Sequence, residues 1–323
     1  MGRGAPAEPE PVGTDSTGVP VITVTGLRMR YGPFEAVRGI DLQLTRGEVF
    51  AFLGPNGAGK TTTVEILEGY RRRTGGDVTV LGEDPQHADA SWRARVGVVL
   101  QDAEPERDLS AAECLQLYAG YYPRPRDVSE TLRLVGLADR ADALATRLSG
   151  GQRRRLDVAL ALIGNPELLF LDEPTTGFDP AARREAWEMI AGLRALGVTV
   201  FLTTHYMDEA EHLADRVAVI NGGQIVAEGP PGTLAGREHG PAEIRFSLPV
   251  GTAAEELPEV VRHALTEQDG ARVEARATSP LAVLSPLIRW AEDRRVDLPD
   301  LEVHRPSLED VYLALTDRHD AAR

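Results

Sequence analysis

The chain has 323 residues, 42% of them hydrophobic, which is ordinary for a globular protein and long enough for one large domain plus a smaller one. Its formal charge of −15 argues against a general nucleic-acid binder, because a phosphate backbone would repel it. A single cysteine, Cys114, excludes a disulfide framework and a cysteine-based zinc site, and reads as a small buried apolar residue.

Residues 1–20 are rich in Pro, Gly and Glu and read as a disordered lead-in without the apolar stretch of a signal peptide. No apolar run approaches the roughly 20 residues needed to cross a bilayer. From Val21 two alternating stretches read as strands, with a turn at Arg46-Gly47 and an end at Gly54. Helical spacing follows over 60–70, and short strands over 76–82 and 95–101. A helix over 109–122 opens on Ser110 and Glu113, a capping-box pair; a second helix covers 127–137 and a third 152–164. Strands at 167–174 and 198–205 flank a helix at 180–197, and a short helix at 207–214 precedes a hairpin turning at Asn221-Gly222-Gly223. Strands alternating with helices predict an α/β fold with a largely parallel sheet. After a linker near 235–242 the tail reads strand (243–249), helix (254–267), strand (271–277), helix (281–295), strand (301–304) and helix (307–315), a small α/β accessory domain.

The first chemical motif is G-x-x-x-x-G-K-T, Gly54 to Thr61, set between a strand and a helix as a phosphate loop requires. Its glycines let backbone N–H groups approach phosphate oxygens, Lys60 supplies a point charge, and the Thr61 hydroxyl can ligate Mg²⁺. Of the 35 basic residues Lys60 is the one lysine; all others are arginine. Arginine replaces lysine readily on a solvated surface and poorly where a compact ammonium must sit inside a tight loop. The second motif is "LLFLDE", a buried strand from whose end Asp172 can hold Mg²⁺ while Glu173 polarises an attacking water. The third, "LSGGQ" at 148–152, again offers backbone N–H groups at a helix start, the construction of an anion site. Taken alone each has a structural reading: solvated acids at a strand end, or a serine-glycine loop.

Together with Tyr31, Gln101, Asp179 and His205, these pieces, in this order, resemble the nucleotide-binding subunit of ATP-binding-cassette (ABC) transporters over residues 21 to about 230. The resemblance implies a P-loop ABC cassette over 21–234 with an antiparallel β subdomain and a helical subdomain at about 102–164, followed by the accessory domain at 240–323. It explains two phosphate sites in one chain. In the family two cassettes meet head to tail, and each ATP lies between the phosphate loop of one copy and the signature motif of the other. Carried over, Tyr31 would stack on adenine, and Asn56, Gly57, Gly59, Lys60, Thr61 and Thr62 would cradle the phosphates. Thr61, Gln101 and Asp172 would surround Mg²⁺, with Gln101 also sensing the attacking water. Ser149, Gly150, Gly151 and Gln152 would face the other copy's γ-phosphate, and Asp179 would lie at the seam, though it also reads as a helix N-cap before Pro180. His205 would hold the γ-phosphate and orient Glu173. Phe178 stands where the family usually has leucine, a tolerable apolar exchange.

The tail "PSLEDVYLALT" is similar to the closing segment of daunorubicin-resistance-type ATP-binding proteins, with Leu308, Val311, Tyr312 and Leu315 forming a packing face. The expected function is therefore an ATPase subunit of an exporter of a drug or antibiotic. It would work as a homodimer on the cytoplasmic face of a membrane with a separate transmembrane permease docking near 102–126, and without nucleic acid. The alternatives are a soluble ABC ATPase of translation or DNA repair, or a nucleotide sensor. Single-cassette length, the short insert between Lys60 and Asp172, and the acidic balance speak against the first; the presence of Glu173 speaks against the second.

Overall fold

A computed structural model describes residues 18, 20–99, 106, 108–249, 251–305 and 307–313, with the side chains of 237–239 not described. The predicted disordered lead (1–20) and Gln101 thus lie almost wholly, or wholly, outside the described residues.

The chain begins with β1 (Pro20–Tyr31) and β2 (Phe34–Thr45), an antiparallel hairpin. The turn at Arg46-Gly47, with Gly47 at φ 76°, sends the next stretch, β3 (Val49–Leu53), into another sheet. There follow α1 (Lys60–Leu67), β4 (Gly75–Val80), α2 (Ala90–Arg93) and β5 (Val96–Val99). The short α2 was not expected from periodicity; Asp89 caps it by accepting from the amides of Ser91 and Trp92. Three helices come next: α3 (Ala111–Ala119), α4 (Val128–Leu134) and α5 (Gly150–Leu162). The expected capping box is present on α3, between Ser110 and Glu113. Then come β6 (Leu168–Asp172), α6 (Pro180–Ala195), β7 (Thr199–Thr204), α7 (Met207–Leu213), β8 (Arg216–Asn221) and β9 (Gln224–Gly229).

The central sheet has six strands in the order β5-β6-β7-β3-β8-β9, parallel except for β9. Both its faces are covered, so β3 and β7 are buried at every position. On one face Ala51, Leu53, Leu169, Val200 and Leu202 pack with residues of α3 to α7. On the other, Phe50, Phe52, Phe170 and Phe201 meet α1 and the antiparallel sheet β2-β1-β4. Phe201 is the hub of that aromatic cluster, with ring centroids 5.5 Å from Phe50 and Phe170. This is the expected α/β fold, with an antiparallel β unit and a helical unit either side of a parallel core.

The tail forms a third sheet, order β11-β12-β10-β13, from β10 (Ala242–Ser247), β11 (Leu265–Asp269), β12 (Arg272–Ala277) and β13 (Glu302–His304). The helices α8 (Glu259–Ala264) and α9 (Pro280–Arg294) pack with it around Ile244, Phe246, Val261, Val273 and Leu287. The helix expected over 254–267 is corrected here. It is a 3-10 turn at Ala254–Glu256, the short α8, and then the strand β11. Pro258 disfavours helical backbone at Leu257 and ends the first turn, and the Asp269-Gly270 step, with Gly270 at φ 59°, closes a hairpin to β12.

Candidate functional site

β6, β7 and β3 are neighbours in the parallel sheet, and their C-terminal ends lie in register: Asp172 pairs with Thr203, and Leu53 with Thr204. The chain therefore delivers the acids after β6, the histidine after β7 and the glycine loop after β3 to one edge. Parallel α/β sheets bind ligands at this edge, outside the carboxyl ends of the strands. A cleft of about 660 Å³ opens there.

The loop from Gly54 to Gly59 leads into α1 with Gly59 as its left-handed N-cap, φ 106°. A Cβ at Gly54 would stand 2.4 Å from the Ile220 carbonyl oxygen, and one at Gly59 2.6 Å from that of Ala36, so neither tolerates a side chain. Gly57, at φ 80°, meets nothing within 4 Å and faces open space. The Lys60 ammonium folds back into the loop, donating to the carbonyl oxygens of Gly54 at 2.6 Å and Pro55 at 3.2 Å. Burial pulls Lys60 below its usual 10.5, and the charges of Glu173 and Asp172 pull the other way. The Asn221-Gly222-Gly223 turn braces the loop from behind. The Gly223 amide donates to the Ala58 carbonyl at 2.9 Å, and a Cβ at Gly223 would stand 2.7 Å from the Ala36 oxygen.

Thr203 organises the acids. Its hydroxyl donates to Asp172 Oδ1, and both its hydroxyl and carbonyl oxygens accept from the Glu173 amide, at 3.2 and 3.1 Å. Glu173 is held at φ 45°, a left-handed conformation costly for a residue that carries a Cβ and found at functional sites. Its carboxylate accepts from Thr176 Oγ1 at 3.1 Å and lies 3.2 Å from His205 Nδ1. With Nδ1 occupied by Glu173, Nε2 is the nitrogen left for a ligand. Tyr31, across a tight turn from Phe34, is 40% exposed, with its hydroxyl 3.4 Å from Thr62 Oγ1.

Ten of the sequence-predicted residues line this cleft: Tyr31, the phosphate-loop residues Asn56, Gly57, Gly59, Lys60, Thr61 and Thr62, and Asp172, Glu173 and His205. Ser149, Gly150, Gly151, Gln152 and Asp179 do not line it. Ser149 is the N-cap of α5, which starts at Gly150 rather than at 152. Its hydroxyl accepts from the Gln152 amide at 3.2 Å, and Gln152 Oε1 accepts from the Ser149 amide at 3.0 Å. Asp179 caps α6, accepting from the amides of Ala181 and Ala182 at 2.9 Å ahead of Pro180. Sequence reasoning missed Arg154, which ties α5 to the acid strand by donating to the Asp172 carbonyl at 2.6 Å. It also missed Glu209, which accepts from Thr175 Oγ1 at 2.7 Å and Trp187 Nε1 at 3.1 Å. No local pattern marks either.

The cleft suits a magnesium-bound nucleoside triphosphate. A loop of backbone amides and one ammonium receive phosphate, while Asp172 and Glu173 would repel a bare polyanion unless a divalent cation stood between. The Thr61 hydroxyl and the Asp172 carboxylate are hard oxygen donors of the kind Mg²⁺ takes. Among the described residues no group of three or more His, Cys, Asp or Glu gathers to hold a metal by itself.

A glycine loop between a parallel strand and a helix, with an acid pair at the end of the next strand but one, β7 standing between them, defines a P-loop nucleoside triphosphatase. Residues 37–176 match the ABC transporter family model, and residues 242–307 that of the ABC transporter domain-containing protein-like C-terminal domain. The chain is 37% identical to daunorubicin resistance ATP-binding protein DrrA3 of Streptomyces coeruleorubidus, over 91% of this chain and 95% of that one. It is 39% identical to Nod factor export ATP-binding protein I of Ralstonia nicotianae, over 96% and 98%. Of solved structures, it is similar to cbiO1 of Clostridium perfringens, part of the ABC transporter complex cbiONQ, at 28% identity and a TM-score of 0.61, over 66% of this chain and 89% of that one. The chain belongs to the ATP-binding proteins of ABC transporters and is a transporter ATPase. Among the described residues no helix is long and apolar enough to cross a membrane.

Proposed function

We propose that this protein is the ATP-hydrolysing subunit of a membrane exporter, and that it works as a homodimer which closes on two ATP molecules. The observation that carries the reading is the separation of the two phosphate motifs. Lys60, Asp172, Glu173 and His205 share one cleft, whereas the signature residues Ser149 to Gln152 lie outside it, at the capped start of α5. A second copy, related by a two-fold axis, would bring its Ser149 to this copy's cleft and receive the same in return.

In that closed state Tyr31 stacks on the base and the phosphate loop holds the phosphates. Ser149, Gly150, Gly151 and Gln152 of the second copy present backbone and side-chain donors to the γ-phosphate, with Asp179 at the seam. Thr61 and Asp172, joined by Gln101 on the family resemblance, would hold magnesium, which would neutralise phosphate charge. Glu173 orients the attacking water, and His205, fixed by Glu173 at Nδ1, directs Nε2 at the γ-phosphate.

Residues 21–234 would act as the cassette and 240–323 as its accessory domain. The permease, a separate chain, would dock near residues 102–126, where Leu117 and Tyr121 are exposed. That would place the ATPase on the cytoplasmic face of the membrane. The names of both curated relatives speak of drug resistance or export, which favours an exporter with drug-like cargo over a soluble ABC ATPase of translation or repair. Purified Glu173→Gln is expected to bind ATP and to lose hydrolysis by about 10²- to 10⁴-fold. Equal turnover in the two proteins contradicts the assignment and favours a nucleotide sensor.

A further inference from the structure

The last described segment, helical over 308–313, returns to the cassette after the accessory sheet. Leu308 is fully buried and belongs to the core on the helical face of the parallel sheet, together with Ala210 and Leu213 of α7. Its amide donates to Glu211 Oε1 of α7 at 3.3 Å. Asp310 Oδ2 accepts from the amide and hydroxyl of Ser307, and the Asp310 amide donates back to Ser307 Oγ at 3.1 Å, which fixes the helix entry. One turn on, Tyr312 is half-buried against the same core and lines the nucleotide cleft with His205 and Met207.

The spacing orients the two helices. Leu308 meets Glu211, four residues past Met207 along α7, and Tyr312 lies four residues past Leu308 along the tail. One helical turn covers about 6 Å on each. Tyr312 and Met207, two residues after His205, both line the cleft, so from the Leu308–Glu211 contact the tail helix leads toward the His205 end of α7. That is the end of the cleft where the Glu173–His205 pair lies, and where the function proposed above puts the terminal phosphate.

We propose that Tyr312 is a nucleotide-binding residue supplied by the C-terminal segment, whose ring walls the triphosphate end of the cleft and makes the site prefer a nucleoside triphosphate to a diphosphate. An aromatic wall there excludes water and strengthens the pull of Lys60 and His205 on the terminal phosphate. By linkage, a triphosphate in the cleft also holds the tail helix down on α7. The inference rests on the cleft being the nucleotide site proposed above.

The test uses the full-length chain carrying Glu173→Gln, so that no turnover occurs, with Mg-ATP and Mg-ADP affinities measured by titration. Adding Tyr312→Ala is expected to weaken ATP binding about fivefold and ADP binding less than about twofold. Tyr312→Phe, which keeps the ring, should stay within about twofold of the parent for both nucleotides, and Leu308→Ala, which frees the anchor, should reproduce the selective loss. An ATP-to-ADP affinity ratio unchanged by Tyr312→Ala overturns the inference alone, whether both affinities hold or both fall together. Failure of the Glu173→Gln parent to bind ATP overturns the nucleotide site itself, and this inference with it.

Discussion

Single residues carry much of the chemistry, and several were legible because their neighbours leave no alternative. Lys60 is such a case. In a chain that otherwise uses arginine, the surviving lysine is 8% exposed and inserts between two loop carbonyls at 2.6 and 3.2 Å, a space a planar guanidinium does not fit. Lys60→Arg should therefore keep a native circular dichroism spectrum and lose at least about tenfold in ATP affinity, by titration with a fluorescent analogue; native affinity would show the loop has room. Glu68 is the opposite case, invisible in sequence. It ends α1 at 8% exposure, and burial first, then the charges of Asp172 and Glu65, push its carboxyl up from 4.5 to about 8. The fold prefers the neutral acid, so between pH 4.5 and about 8 the folded chain keeps a proton the unfolded chain has released, and stability falls as pH rises through that window. Glu68→Gln should raise unfolding free energy on the order of 2–4 kcal/mol at pH 8.5 and change it little near pH 5, by denaturant titration. An equal effect at both pH values would mean that Glu68 does not titrate as described.

At the scale of elements, sequence patterns found the strands that matter. β3 (Val49–Leu53), β6 (Leu168–Asp172) and β7 (Thr199–Thr204) are short buried runs rich in apolar residues, and in β6 the run stops being buried at Asp172. Patterns did less well where two elements cooperate. The Asn221-Gly222-Gly223 turn reads as a hairpin and nothing more, yet it braces the phosphate loop through the Gly223–Ala58 hydrogen bond. Gly223→Ala should destabilise the fold by roughly 1–3 kcal/mol and weaken ATP binding, although Gly223 does not line the cleft. Gly232→Ala, at a position where an added Cβ meets nothing within 4 Å, serves as the neutral control in thermal melts. β12 matches the strand expected over 271–277, whereas most of β11 falls in the stretch expected as helix, because Glu259 to Gln268 lack strict alternation; the turn at Asp269-Gly270 is the stronger signal.

For the whole molecule, two relations are set by three-dimensional packing. One is the return of the C-terminal helix to the first core: its apolar spacing marks a packing face, but no local feature says that the face belongs to α7 and the cleft. The other is the separation of the two phosphate motifs. The sequence shows two phosphate motifs, and the structure sets them apart, Lys60 inside the cleft and Ser149 capping α5 outside it. A homodimer with two-fold symmetry uses both motifs twice. The most direct measurement is complementation, in which Lys60→Ala and Ser149→Arg chains, each inactive alone, are mixed in equal amounts and assayed for ATP hydrolysis. In a mixed dimer one site combines two defects and the other has an intact Lys60 and an intact Ser149. The account predicts recovery of about a quarter of wild-type turnover, since half the dimers are mixed and each has one of two sites whole. A mixture as inactive as its two components would contradict it.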